Sequence, residues 1–335
     1  MSLEAKYPNL KKLHILSIHR SGSTLFQSLL DGHPELIVDI ADSKFFDKLP
    51  ELVNLNPSER VGYFKKIIIN YIFNENSKYY QDFLSHIDID QLHEDFDKLV
   101  TNNYNYPQLY KAYFEALGKS SKIINENSKY IVDKILKNEL YCDLMIKWWP
   151  NSKIIYICRD PRDVYASYKI RDIKNNRKVT KVDALVYTWG NSVKNAIRLV
   201  NGYMKNNILV LRYEDLVENK EPIIKSVANF LNIKLNDILF IPTKGNGKIK
   251  WLGNAASGKK KTKIDSLEKE KYKRVLTLNE IGAIEQNLKK EMNYLNYSLD
   301  KEDTKFIPNL SLKTKNFLRK HRDKHYYNNI LKKIK

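Results

Sequence analysis

The N-terminal part of the chain contains a strand, a turn of small residues and a helix in immediate succession. Residues 13–18 (LHILSI) form an apolar run of strand length, and residues 24–30 carry the apolar spacing of a helix that stops at Gly32 and Pro34. The same order recurs, with strands predicted at 121–125, 153–158 and 207–211 and helices at 130–146, 163–170 and 221–231. This alternation predicts an α/β fold in which a parallel sheet is flanked by helices.

The domain organisation follows from what interrupts this alternation. Residues 57–118 show helical, aromatic-rich patterning without a strand candidate, so we predict a helical insertion there, either a substrate wall or an ordinary helical layer. Neither a repeat nor a flexible linker divides residues 1–300, which we predict to form one domain. Residues 301–335 are predicted to be a basic helical tail, because ten Lys or Arg stand against a single acid, Asp323, from residue 305 onward.

The net charge, the apolar runs and the cysteines limit the partners, the location and the bound metals that can be expected. The formal net charge of +19 favours anionic partners, although an AT-rich genome would produce the same lysine-rich bias. No apolar run reaches the roughly 18–20 residues of a membrane span. The two cysteines, Cys142 and Cys158, lie in apolar stretches without the spacing of metal ligands. We therefore expect a protein of the cytoplasm, without a membrane span and without a bound metal.

The first motif with chemical content is the turn at residues 19–24 (HRSGST). A turn of small residues at a helix start directs backbone N–H groups and the positive end of the helix dipole at one point, which makes an anion site. A Walker A loop would carry a lysine where this chain has Ser23. This difference argues against an ordinary ATP or GTP hydrolase; a plain strand-to-helix turn is the alternative interpretation.

The second motif follows the strand at 153–158. Arg159 ends this strand and Ser167 lies eight residues later, on the helix that begins near Pro161. One loop and one helical turn separate the two, so both side chains can reach the same anion. The alternative is that Arg159 forms a structural ion pair with Asp160 or Asp163.

Together the two motifs resemble the sulfotransferases that use 3′-phosphoadenosine 5′-phosphosulfate (PAPS), in particular the broad family with bacterial, carbohydrate and tyrosyl-protein enzymes. Residues 30–34 (LDGHP), 211–216 (LRYEDL) and 251–258 extend the similarity over nearly the whole chain. The resemblance implies a P-loop-like fold, PAPS as co-substrate and no metal. It also implies that Arg20, Ser21, Gly22, Ser23 and Thr24 hold the 5′-phosphosulfate, and that Arg159 and Ser167 hold the 3′-phosphate.

The resemblance further implies roles for later residues. Tyr213 is similar to an adenine-side residue, although a core tyrosine would explain it equally well. Ser257, Gly258 and Lys259 resemble the late loop that closes over the nucleotide.

The acceptor also needs a catalytic base within hydrogen-bond reach. In addition to Arg20, which would stabilise the departing phosphate, we name two catalytic candidates. Asp42 is the first, because it precedes an aromatic pair as acids do in similar sequences; a loop aspartate that caps a helix is the alternative. Glu126 is the second, expected at another strand end facing the same site. Many family members carry Glu-Lys-Thr-Pro here, and Asn127 replaces the lysine, which weakens the case for a second cation.

These inferences predict a metal-independent sulfotransferase that moves a sulfuryl group from PAPS to a hydroxyl or amine. The acceptor is a small molecule, a carbohydrate or a peptide, between which the sequence does not choose. One alternative is a P-loop-like nucleotide kinase, against which Ser23 in the lysine position argues. The other is a non-catalytic protein that binds anions or nucleic acid through the basic tail. No nucleic-acid-binding motif accompanies that charge, so a nucleic-acid partner is not expected.

Overall fold

The fold is taken from a computed structural model of the chain. It describes residues 10–42, 45–69, 87–100, 105–120, 126–136, 141–251, 269–300 and 310–334. Its main sheet contains five strands in the order β2-β3-β1-β4-β5, and all neighbours pair in parallel. The strands are β1 (Lys11–Ser17), β2 (Leu36–Asp42), β3 (Tyr130–Leu136), β4 (Lys153–Cys158) and β5 (Ile208–Arg212). The predicted parallel α/β class is confirmed.

Three of the four predicted strands are present, at β1, β4 and β5. The predicted strand at 121–125 lies outside the described residues. The helix predicted at 130–146 is wrong, because its first seven residues form β3, which is buried along its whole length. An apolar run of this length satisfies strand and helix patterns equally, and burial on both faces of a parallel sheet removes the alternation that would distinguish them. Strand β2 was not predicted from the sequence.

Helices cover both faces of the sheet. They are α1 (Ser23–Leu30), α2 (Phe45–Leu52), α3 (Pro57–Phe64), α4 (Ile89–Leu99), α5 (Tyr106–Ser120), α6 (Cys142–Trp148), α7 (Pro161–Lys174), α8 (Val182–Val200), α9 (Tyr213–Glu218), α10 (Lys220–Leu231), α11 (Tyr272–Val275), α12 (Leu278–Tyr294) and α13 (Leu310–Ile334). A two-stranded hairpin, β6 (Thr243–Lys244) and β7 (Ile249–Lys250), packs beside α1. One core cluster contains residues of α1 and α10, and the larger one contains residues of the helices between α2 and α8 together with α12.

The described part of the region at 57–118 is helical, as predicted. Its aromatic side chains lie in the larger core, where Phe64 stacks on Phe96 with ring centroids 5.4 Å apart and Tyr110 packs on Phe45 at 4.5 Å. Large rings such as these contribute much apolar area to a core. The region is therefore a layer that covers one face of the sheet.

The basic C-terminal segment is helical over α13, and one face of this helix is docked on the domain. Ile330 is buried, Tyr327 packs on Tyr141 with ring centroids 5.4 Å apart, and Tyr187 donates a hydrogen bond to Asp323. The opposite face, including Lys324 and Lys332, is exposed. None of the described helices is both long enough and apolar enough to cross a membrane.

Candidate functional site

The carboxyl ends of the five strands meet at one edge of the sheet. In the register of the parallel pairs, Ser17 of β1 lies beside Leu136 of β3 and Ile157 of β4, and Cys158 lies beside Arg212 of β5. Loops that follow the carboxyl ends of parallel strands form the usual ligand crevice of such sheets. Both sequence motifs begin at this edge.

We call the turn between β1 and α1, residues 18–22, the anion loop. Its backbone adopts the left-handed region at Arg20 (φ 73°) and at Gly22 (φ 89°), and Gly22 caps the N-terminus of α1. Left-handed residues at such a turn draw successive N–H groups into a concave nest, and the helix dipole adds positive potential there. A Cβ atom on Gly22 would stand 2.1 Å from the Tyr213 ring, so only glycine fits against that ring.

Hydroxyl groups surround this loop. The hydroxyls of Ser17 and Ser21 are buried and make no hydrogen bond within the described part of the chain. Buried polar groups normally have partners, so these two leave donor capacity for a ligand with acceptor oxygens. Ser23 is also buried, in the first turn of α1, and Thr24 follows it.

Lys134 is a further candidate for the site, and it was not identified from the sequence. It lies near the end of β3, only 3% exposed, and its ammonium group donates a hydrogen bond of 2.9 Å to the Thr24 hydroxyl. The lysine that Asn127 replaces is therefore not the only source of a second cation, because Lys134, on the strand that follows Asn127, lies beside Thr24. The signal was the dipeptide Asp133-Lys134 inside an apolar run, since charges within a buried strand need a function or a partner.

Arg159 reaches the anion loop from the other side. Its guanidinium group donates to the Arg20 carbonyl at 3.5 Å, stacks over the Tyr213 ring at 4.4 Å and lies 3.6 Å from the Asp163 carboxylate. The ion pair with Asp163 predicted as an alternative is thus present together with the contacts to the loop. The structure brings Arg159, Tyr213 and the loop together.

Ser167 lies one turn further along α7 and is buried, with its hydroxyl donating to the Asp163 carbonyl at 2.9 Å. The surroundings of Arg159 are fixed by hydrogen bonds. Its carbonyl accepts a bond from the Trp189 indole at 2.9 Å, and the next amide, of Asp160, donates to Glu214 at 3.0 Å. Burial raises the pKa of the Glu214 carboxyl group, which also accepts a bond from the Tyr297 hydroxyl.

Asp163 connects Arg159 to residues 270–272. Its carboxylate accepts bonds from the amides of Glu270 at 2.9 Å and Tyr272 at 3.0 Å. Burial raises the pKa of Asp163, against the opposing charge of Arg159. The predicted nucleotide contacts Ser257, Gly258 and Lys259 lie outside the described residues, and so does everything from 252 to 268.

The two proposed bases lie at opposite ends of the parallel strands. Asp42 ends β2 and pairs in the register with Lys134. Glu126 is exposed and precedes the first residue of β3, at the end where β1 begins. The seven residues of a strand such as β3 span roughly 20 Å, so the expectation that Glu126 faces the loop is wrong.

A cluster of charged side chains is buried between the sheet and α5. Asp133 lies between the His14 ring, at 2.7 Å, and the Tyr110 hydroxyl. Lys12 is buried beside them, 3.1 Å from the centroid of the Phe114 ring. Burial lowers the pKa of Lys12 to about 7, although Asp133, Asp39 and Glu115 oppose this effect. Among the described residues, no three His, Cys, Asp or Glu side chains are arranged to hold a metal ion.

Lys12→Met is expected to make stability less dependent on pH. Below about pH 7 Lys12 is protonated in both the folded and the unfolded protein, so the folded protein bears the full cost of burying the charge. Between that pH and 10.5 the unfolded chain binds a proton that the folded protein does not. The wild-type free energy of unfolding should therefore gain about 1.4 kcal/mol per pH unit from this group, and the variant should lack that gain.

Thermal unfolding of both proteins across this range measures the effect. The stability advantage of Lys12→Met should be greatest at neutral pH and should shrink as the pH rises. Lys11→Met, at an exposed position at the start of the same strand, serves as control and should follow the wild type. Parallel curves for wild type and Lys12→Met would contradict the assignment.

The chain is similar in sequence to known sulfotransferases. A family model described as the sulfotransferase family matches residues 13–237. Sulfotransferase 1B1 of Canis lupus familiaris is 30% identical over 118 residues, which are 31% of this chain and 39% of the dog protein. The match thus spans well under two thirds of that relative's length.

The fold also occurs in solved structures, and two examples follow. The sulfotransferase domain from the Synechococcus PCC 7002 olefin synthase has a TM-score of 0.61 at 19% identity, with 88% of this chain and 96% of that domain covered. The sulfotransferase domain from the curacin biosynthetic pathway has a TM-score of 0.57 at 19% identity, with 86% and 98% covered. At such identities the likeness concerns the fold alone.

Proposed function

The chain belongs to the sulfotransferase family, and from that membership we propose that it is an enzyme that transfers a sulfuryl group from PAPS to a hydroxyl or amine. One observation carries the proposal. The anion loop is approached by a buried lysine on one side, Lys134 at Thr24, and by an arginine on the other, Arg159 at the Arg20 carbonyl. Two cations on opposite sides of one nest fit a ligand with two separated anionic groups.

The anion loop would hold the 5′-phosphosulfate. Backbone N–H groups at the start of α1, the hydroxyls of Ser21, Ser23 and Thr24, and the guanidinium of Arg20 are the donors for it. The unpartnered buried hydroxyl of Ser21 supports this fit.

The nucleotide would extend from the loop toward β4 and β5. We assign Tyr213 to the adenine side of the nucleotide, because its ring packs against Gly22 of the anion loop and lies 4.4 Å from the Arg159 guanidinium. Arg159 and Ser167 are the residues we assign to the 3′-phosphate. In that complex the phosphate would compete with Asp163 for the Arg159 guanidinium.

PAPS supplies a sulfuryl group on a phosphosulfate anhydride. During transfer the bond between sulfur and the bridging oxygen breaks, its electron pair stays on the departing 5′-phosphate, and a bond from sulfur to the acceptor oxygen or nitrogen forms. Lys134, Arg20 and the loop amides are fixed where this negative charge grows, so preorganised electrostatics would provide much of the rate. Because these residues supply donors and positive charge for the departing phosphate, we propose metal-independent transfer.

The acceptor would approach from the side of β2 and β3, opposite the nucleotide. Asp42, in register with Lys134 there, is the base we propose for the acceptor proton. The acceptor is a small molecule, a carbohydrate or a peptide that carries a hydroxyl or amine.

Calorimetry with adenosine 3′,5′-bisphosphate and with AMP tests the proposal. The bisphosphate is expected to bind ten- to a hundredfold more tightly, because a charge-assisted hydrogen bond contributes about 1.5–3 kcal/mol. Arg159→Ala should reduce its affinity to that of AMP, while Arg177→Ala, an exposed arginine beyond the same helix, should change neither.

Equal affinity of the wild-type protein for the two nucleotides would contradict the assignment of a 3′-phosphate site. Equal loss of AMP and bisphosphate binding in Arg159→Ala would instead indicate that the arginine maintains the loop through the Arg20 carbonyl.

A further inference from the structure

Strand β2 contains two extra residues directly before Asp42. Its pairing with β3 is regular from Leu36 to Val38, where Val38 stands opposite Val132, and it resumes with Asp42 opposite Lys134. Four residues of β2 therefore span the same interval as two residues of β3. Residues 39–41 form a bulge in the strand.

The bulge decides which residue stands beside Lys134. In an uninterrupted register Ile40 would occupy that position, and Asp42 would lie two residues, roughly 6–7 Å, further along the strand. Bulges of this kind are typical beside active sites, where they change which residue reaches a given point. In this chain the bulge brings a carboxylate-bearing residue level with the cation that contacts Thr24.

A side chain of α1 holds the bulge. The amide of Gln27 donates a hydrogen bond to the Asp39 carbonyl, and Gln27 is 4% exposed. Gln27 follows Thr24 by three residues, so both lie on one face of the helix. That face of α1 thus contacts Lys134 through Thr24 and the β2 bulge through Gln27.

The Asp39 side chain is also held in the core. It is 1% exposed and lies close enough to the buried Lys12 ammonium to act on it electrostatically. A buried carboxylate is unfavourable in an apolar environment, and a nearby cation reduces that cost. The bulge is consequently held through its carbonyl by Gln27, and its Asp39 side chain is enclosed in the core.

We propose that Gln27 is a positioning residue: its amide fastens the β2 bulge to the helix of the anion loop and so keeps Asp42 beside Lys134. This inference rests on the proposed function, because it assumes that Asp42 takes the acceptor proton. Gln27 lies outside both sequence motifs, and through the bulge it would determine the position of Asp42.

A double-mutant cycle tests the proposal. Gln27→Met retains the length of the side chain and removes its donors, and it is made both in the wild type and in Asp42→Asn. Turnover is measured as transfer of ³⁵S from PAPS to water and to phenol, which is protonated at neutral pH, with saturating nucleotide. Ser28→Ala is the matched control, because the buried Ser28 hydroxyl donates within α1 itself, to the Leu25 carbonyl at 2.6 Å.

Gln27→Met is expected to lower turnover ten- to thirtyfold in the wild type and less than threefold in Asp42→Asn, since a residue that acts through Asp42 has nothing left to position there. Bisphosphate affinity should stay within threefold, and Ser28→Ala should keep wild-type turnover. Equal losses in both backgrounds, or no loss in the wild type, would overturn the proposal.

The failure of the proposed function would look different. A wild-type protein that transfers no ³⁵S and does not prefer the bisphosphate contradicts the function before any variant is compared. If Gln27→Met does not fold, Gln27→Asn, with its donor one methylene short of the Asp39 carbonyl, is used in the same cycle and judged by the same two outcomes.

Discussion

Lys134→Met is expected to lower turnover by about two to three orders of magnitude, with bisphosphate affinity reduced by less than tenfold. The ammonium group is buried and hydrogen-bonded to Thr24, so in the proposed complex it would meet the phosphosulfate in a site of low dielectric. Negative charge on the departing phosphate is greater in the transition state than in bound PAPS, so losing a fixed cation there raises the barrier more than it weakens binding. Methionine preserves the packing of the aliphatic chain.

Single-turnover transfer of ³⁵S from PAPS, combined with calorimetry, separates the two effects. Lys11→Met is the control, because Lys11 is an exposed lysine at the opposite end of the adjacent strand. Arg20→Ala should show the same pattern as Lys134→Met, with turnover affected more than binding. If Lys134→Met weakens only nucleotide binding and turnover at saturation is intact, Lys134 serves the ground state alone.

The second large effect is expected for Asp42→Asn. The variant keeps the size of the side chain and removes the proton acceptor, so turnover should fall by about 10² or more while PAPS affinity holds. The acidic limb of the pH–rate profile should disappear with the carboxyl group. Both results follow only if Asp42 accepts the acceptor's proton in the rate-limiting step.

Glu126→Gln is the matched control for this experiment. It removes a carboxylate from an exposed turn at the other edge of the sheet, so its turnover should equal that of the wild type. Small and equal losses in both variants would remove Asp42 from the role of base. They would indicate that the chosen acceptor has a pKa low enough to react without a protein base, which a series of phenols of graded pKa would reveal.

Several features of the site were predictable from local sequence. The apolar run before HRSGST, the small residues in that turn and the helix after it are encoded within about twenty consecutive residues, and the structure reproduces them as β1, the anion loop and α1. Arg159 at the end of β4 was predictable in the same way. Turn conformation, helix capping and strand length depend on neighbours a few residues apart, so one stretch of sequence specifies them.

Other features were not predictable, and β3 is the clearest case. Its residues read equally well as the first turns of a helix, so Lys134 was overlooked, whereas Glu126 was placed at the site because it follows the strand predicted at 121–125. The difference between the two patterns is burial on both faces of a sheet, which depends on segments far away in the chain. The docked α13 is similar: a basic helix was predictable, but the packing of its Ile330 on the domain was not.

The sequence by itself determined the anion loop, the arginine after β4, the α/β alternation and, through the combination of motifs, the family. Only the tertiary structure decided which strands are neighbours and in which register, and with that the pairing of Asp42 with Lys134 across the β2 bulge. The physical reason is the range of the interactions. A turn is stabilised by hydrogen bonds and torsional preferences among adjacent residues, whereas Lys134 and Thr24, 110 residues apart, meet only because the whole sheet buries its apolar faces in one arrangement.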